Sequence, residues 1–102
     1  MSVIIDFSIF PMDKEGQSVS PYVARVIDII TASGLPFQLG PMGTSIEGEW
    51  NEVMQVVDAC YKALEGDCDR IYVNIKADSR KGRTNGMNGK VASVREKTEQ
   101  PL

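Results

Sequence analysis

The chain has 102 residues, of which 42% are apolar and 25% charged, and its formal net charge is −3. That length suits one domain around one core, and the acidic balance argues against nucleic acid as a partner, because its binders carry a basic face. No apolar run approaches the ~20 residues of a membrane span, and a chain without histidine has neither a histidine base nor a histidine-ligated metal site.

Residues 2–10 alternate with period two. Val3, Ile5, Phe7 and Ile9 share one face, and Ser2, Ile4, Asp6 and Ser8 share the other, as in a strand with one buried side. This segment lacks the basic lead and small-residue cleavage site of an export signal, so a cytoplasmic location is expected. A polar loop around Gly16 follows. Ser20 and Pro21 then mark a helix start, serine as N-cap and proline in the first turn. Val23, Val26, Ile27 and Ile30 form its buried stripe. Gly34 ends the helix and Pro36 prevents its continuation.

Residues 37–39 and 44–47 read as two short strands joined by the turn Gly40-Pro41-Met42-Gly43. Gly48 breaks the second strand. A helix begins near Glu49, burying Val53, Val57, Cys60 and Leu64, and stops at Gly66. Trp50 is expected to pack at its start. Cys60 is read as a buried core thiol and Cys68 as a loop thiol, since their spacing is not that of a metal site. Residues 69–77 form the fourth strand, with Ile71, Val73 and Ile75 opposite in parity to Tyr72, Asn74 and Lys76. Residues 78–85 read as a polar, basic loop in which Lys81 and Arg83 are solvated or capture a phosphate. Residues 88–97 make a short third helix with Met87, Val91 and Val94 as its weak apolar side.

Strand, helix, strand, strand, helix, strand is the order of the split βαβ, or ferredoxin-like, arrangement. The expectation is one α+β domain over residues 1–102. It has a four-stranded antiparallel sheet ordered 4-1-3-2, two long helices on one face and a short C-terminal helix.

Parity then puts Asp6, Ser8, Tyr72, Asn74 and Lys76 on the second, open sheet face, joined by Ser45 and Glu47 if Ile46 points to the core. Three readings stand for such a face: a solvated surface, an oligomer interface with ion pairs, or a small-molecule site between packed sheets. Thr44 falls on the core face by parity, where its hydroxyl meets either the hairpin backbone or a ligand. Ser20 is a cap first and a ligand contact second.

The stretch Gly40-Pro41-Met42-Gly43-Thr44-Ser45-Ile46-Glu47-Gly48-Glu49-Trp50 resembles the signature of the UPF0045 family of thiamine-binding, MTH1187/YkoF-like proteins. Ser18-Val19-Ser20-Pro21-Tyr22-Val23-Ala24 is similar to that family's first helix start. Ile75-Lys76-Ala77-Asp78-Ser79-Arg80 is similar to its last strand, and Lys90-Val91-Ala92-Ser93-Val94 to its closing helix. The resemblance implies a ferredoxin-like fold, a homodimer or homotetramer built through sheet faces or edges, and binding of thiamine or its pyrimidine portion.

Thiamine's thiazolium is a cation suited by a carboxylate such as Glu47 or Asp6. Its aminopyrimidine matches hydroxyls, amides and backbone groups, and its rings stack on an aromatic such as Tyr72 or Trp50. The ligand-binding set is therefore Asp6, Ser8, Ser20, Thr44, Ser45, Glu47, Asn74 and Lys76. No catalytic residue is assigned, since the sequence has no nucleophile elbow and no phosphate loop. The alternatives are an ACT-like regulatory oligomer binding another metabolite, or a weak enzyme of thiamine metabolism using Asp6, Glu47 and Lys76.

Overall fold

The computed structural model describes residues 2–101. Its elements are β1 (Ser2–Pro11), α1 (Ser20–Ala32), β2 (Phe37–Leu39), β3 (Thr44–Gly48), α2 (Trp50–Glu65), β4 (Ile71–Arg80) and α3 (Gly86–Lys97). The four strands form one sheet in the order β2-β3-β1-β4, with every neighbouring pair antiparallel. This is the expected α+β, ferredoxin-like architecture and strand order.

The alternation of β1 builds the core. Val3, Ile5, Phe7 and Ile9 are buried and meet Ile46 of β3, Val26 and Ile30 of α1, and Val53, Val57, Cys60 and Leu64 of α2. α2 is secured at its start by the Glu52 carboxylate, which accepts the Glu49 N–H at 2.9 Å. α1 ends at Gly34, whose φ of 77° suits a residue without Cβ.

Five local expectations need correction. The N-cap of α1 is Val19, and Ser20 is already helical. The hydroxyl serving this end belongs to Ser18, which accepts the Ser20 N–H at 3.2 Å. Trp50 is 54% exposed on the first turn of α2 and is not a packing residue. β4 runs three residues further than residue 77, because Asp78, Ser79 and Arg80 still find partners in Ile4, Val3 and Ser2. Arg83 is not a solvated loop residue, since its guanidinium donates to the Ser2 and Asp78 carbonyls and pairs with the Asp78 carboxylate at 3.0 Å. α3 begins at Gly86, and it packs on β1 and β3.

That last contact changes the second sheet face. Glu47 and Ile4 are cross-strand partners with parity opposite to the core pair Ile5 and Ile46. The buried Glu47 carboxylate meets the first amides of α3. α3 therefore lies over the β3 end of the face expected to be open, and only the β4 side stays uncovered. β4 itself is exposed along nearly its whole length.

Candidate functional site

β1 is ten residues long and β3 only five. Their pairing stops at Phe7 opposite Thr44. Beyond that point the chain leaves β1 through the turn closed by Gly40 N–H donating to the Gly43 carbonyl at 2.8 Å. Two glycines make this departure possible. A Cβ on Gly43 would lie 3.1 Å from the Phe7 carbonyl oxygen and 3.2 Å from an Asp6 carboxylate oxygen. One on Gly40 would lie 2.9 Å from the Gly43 carbonyl oxygen.

The divergence opens a pocket of about 310 Å³ between α1, the uncovered end of β1 and the hairpin. Val19, Val23, Val26 and Ile27 wall it from α1, and Leu39, Pro41 and Met42 from the hairpin. No charged side chain lines it. Its polar groups are hydroxyls and backbone. Thr44 is only 5% exposed, and its hydroxyl makes no hydrogen bond with the described residues. A hydroxyl in a pocket wall that no described residue engages is available to water or to an occupant.

On the other side of the same turn, Asp6, Ser8, Met42, Asn74 and Lys76 line a small polar cleft of about 210 Å³. Asp6 and Lys76 lie 3.8 Å apart there, both well exposed. Ser45 joins Asp6 in a shallow groove under the hairpin. Ser8 and Met42 belong to both the apolar pocket and the polar cleft.

Thus Asp6, Ser8, Asn74 and Lys76 come together as expected, Ser45 lies beside them, and Thr44 faces the pocket behind them. Two expected residues do not join the group. Ser20 is exposed and its hydroxyl is engaged with that of Ser18 at 2.9 Å. Glu47 has the expected parity but not the expected surroundings.

One Glu47 carboxylate oxygen accepts the Gly86 N–H at 2.6 Å and the Ser2 hydroxyl at 3.0 Å, and the other accepts the Met87 N–H at 3.1 Å. Burial pushes its carboxyl up. The Met87 and Gly86 amides, Ser2 and nearby Arg83 outweigh that and hold it below the usual carboxylate range. Glu47 therefore engages the first amides of α3 at its positive N-terminal end, apart from the cleft of Asp6, Ser8, Asn74 and Lys76. Asn85 supports the arrangement with a left-handed backbone, φ 52°, just before the helix, a conformation asparagine tolerates.

The pocket walls on α1 were legible only as core stripe, and Leu39 and Met42 only as hairpin. The one available signal was the mismatch between a long first strand and a short third one.

The comparisons agree with this fold. The family model described as thiamine-binding protein matches residues 5–95. A UPF0045 protein of Mycobacterium tuberculosis is 41% identical over 95 residues, 92% of each chain. One of Synechocystis is 36% identical over 95 residues, 92% of this chain and 78% of the relative. Among solved structures, protein MJ1052 of Methanocaldococcus jannaschii superposes with a TM-score of 0.84 at 30% identity, covering 93% of this chain and 97% of that one. A candidate thiamine biosynthesis or salvage protein of Thermotoga maritima superposes with a TM-score of 0.80 at 25% identity, covering 93% and 100%. The chain belongs to the thiamine-binding protein family, UPF0045.

Proposed function

We propose that this protein is a cytoplasmic small-molecule binder that holds thiamine or its hydroxymethylpyrimidine portion, without transforming it. The observation that carries the reading is the apolar pocket of about 310 Å³ between α1 and the β2–β3 hairpin, with the Thr44 hydroxyl, which no described residue engages, in its wall. Its volume is at the lower end of ligand pockets, and its apolar walls with few polar groups suit a flat heterocycle. The family and the Thermotoga neighbour support thiamine as the ligand class. The thiazolium belongs outside the pocket, near Asp6, because no charge lines the interior.

The working form is a homodimer or homotetramer. The exposed β4 edge and the uncovered side of the second face supply the contact surfaces. A second copy on that face would close the pocket mouth at Met42, which is 89% exposed. The exposed β4 also favours a second reading, an ACT-like regulatory oligomer, in which ligand and assembly are coupled.

Calorimetric titration with thiamine tests the proposal against Val23→Trp, which fills the pocket. The wild-type chain is expected to bind, and the variant to bind at least ~10-fold more weakly, about 1.4 kcal/mol, with an unchanged circular dichroism spectrum. A wild-type chain that binds neither thiamine nor its pyrimidine half would refute it.

A further inference from the structure

The joint where α3 meets the sheet carries a covalent chemistry of its own. The chain has four asparagines, and two of them, Asn85 and Asn88, are followed by glycine. Both lie at the start of α3. Asparagine before glycine is the pair most open to spontaneous deamidation, because glycine has no side chain to shield its backbone nitrogen. Each member of Asn85-Gly86 stands there for a structural reason. Position 85 has φ 52° and ψ 42°, a left-handed backbone that asparagine tolerates. Position 86 excludes a Cβ, which would lie 2.6 Å from the Arg83 side chain and 2.9 Å from a Glu47 oxygen. The joint therefore selects the reactive pair.

The same joint holds that pair inert. In deamidation the Gly86 nitrogen loses its proton and attacks the side-chain carbonyl carbon of Asn85. Ammonia leaves as a five-membered succinimide closes. Water then opens either of the ring's two acyl C–N bonds, giving aspartate or isoaspartate, so the net change is one water gained and one ammonia lost. The Gly86 N–H is buried and donates to the Glu47 carboxylate at 2.6 Å. A nitrogen held in such a charge-assisted bond keeps its proton and does not turn toward the side chain. The Asn85 side-chain oxygen is engaged as well, accepting from the Asn88 amide at 2.9 Å. Gly89 N–H donates to the Asn85 carbonyl at 3.0 Å, so the second pair is guarded by the helix itself.

We propose that Asn85-Gly86 is a deamidation site kept closed by Glu47, and that isoaspartate formed there while α3 is lifted makes the release of this helix permanent. Isoaspartate routes the backbone through the side chain and adds one methylene between residues 85 and 86. The Gly86 and Met87 amides then no longer reach the two Glu47 oxygens together, and the β3 end of the second sheet face stays bare. The aspartate product behaves differently. It keeps the backbone and places a carboxylate at a helix N-cap, where it is favoured, so α3 docks again. The modification does not depend on which ligand the pocket holds.

The test ages the full chain in mildly alkaline buffer and follows each asparagine by peptide mass spectrometry, as a gain of about 1 Da. Enzymatic methylation distinguishes isoaspartate from aspartate. Asn51 and Asn74, followed by Glu52 and Ile75, are the slow internal standards. Asn85 in the folded wild type is expected to react at least ~10-fold more slowly than in the same chain unfolded by urea, since only the lifted fraction reacts. Folded Glu47→Gln is expected to close most of that gap. A second measurement needs no variant: across a low-urea series on the wild type, Asn85 deamidation and Gly86 hydrogen exchange are expected to rise together. The isoaspartate-bearing fraction, separated by ion exchange, is expected to lose protection at the Gly86 and Met87 amides, while Asn85→Asp keeps it. Equal reaction in the folded and unfolded wild type, or an unchanged rate in Glu47→Gln, would remove Glu47 as the guard. An isoaspartate-bearing chain with wild-type protection at Met87 would overturn the permanent release.

Discussion

Glu47→Gln separates the role of Glu47 as an anchor of α3 from a role in ligand binding. The wild-type carboxylate receives three donors, two of them the amides that open α3. Glutamine keeps one accepting oxygen and sets an NH₂ group against the remaining amide. At least one charge-assisted hydrogen bond is lost, and a donor then faces a donor inside a buried site. Bonds to charged groups contribute ~1.5–3 kcal/mol each, so a loss of about 2–3 kcal/mol is expected, concentrated in α3. Hydrogen exchange at the Gly86 and Met87 amides is then expected to quicken by roughly 30–150-fold, at ~1.4 kcal/mol per factor of ten. The β1 and α2 amides change far less.

Acid is expected to act in the same direction. The carboxyl of Glu47 is held below its ordinary value in the folded chain. Its contribution is therefore full above the ordinary glutamate value of 4.5 and is lost as the pH falls through the lower folded value. Wild-type α3 should loosen only in acid, as the pH falls below the ordinary carboxylate range, and Glu47→Gln should be loose across the whole range. Equal exchange in α3 for the two proteins at pH 7 would refute the anchoring role.

Gly86→Ala attacks the same joint by sterics, since the new Cβ would lie 2.6 Å from the Arg83 side chain and 2.9 Å from a Glu47 oxygen; urea unfolding is expected to show a loss of about 1–3 kcal/mol. Arg25→Ala removes the well-formed but exposed pair with Asp67 at 2.7 Å, and the melting curve is expected to record no more than ~1 kcal/mol. The Cys60 thiol, fully buried and pushed up to about 11 by that burial, is expected to resist alkylation at pH 8 until denaturant is added, which mass spectrometry would read directly. Val73→Lys on the exposed β4 is expected to shift sedimentation toward the 11.2 kDa monomer, and an unchanged oligomer would remove β4 from the assembly.

The sheet order and both long helices were legible because each follows from a period that burial enforces. Val3, Ile5, Phe7 and Ile9 have no alternative face, and a four-residue turn at Gly40–Gly43 forces an antiparallel pair. The extra length of β4 was not legible, because Asp78, Ser79 and Arg80 are exposed, and what holds them is pairing with β1 together with the ion pairs of Asp78 with Arg83 and Lys90. A polar edge strand has no burial pattern to read. Glu47 shows the sharper limit. Alternation gave its face correctly, yet alternation says nothing of what lies upon that face. α3 presents Gly86 and Met87 to the sheet with little else buried, so its pattern gives no sign of docking.

The separation of the apolar pocket from the charged cleft follows from the same strand. The odd side chains of β1 fill the core and its even ones meet the second face, so neither set is free to enter the α1 pocket as a charged ligand contact. Asp6 and Lys76 sit across the sheet from that pocket and engage one another. What β1 can still offer on the pocket side is the edge left bare where β3 ends, and this depends on the hairpin leaving early. Gly43 is the residue that permits the close approach before departure. The turn within the stretch that resembles the family signature is therefore the part of the chain that opens the pocket, although its own side chains contribute only apolar wall.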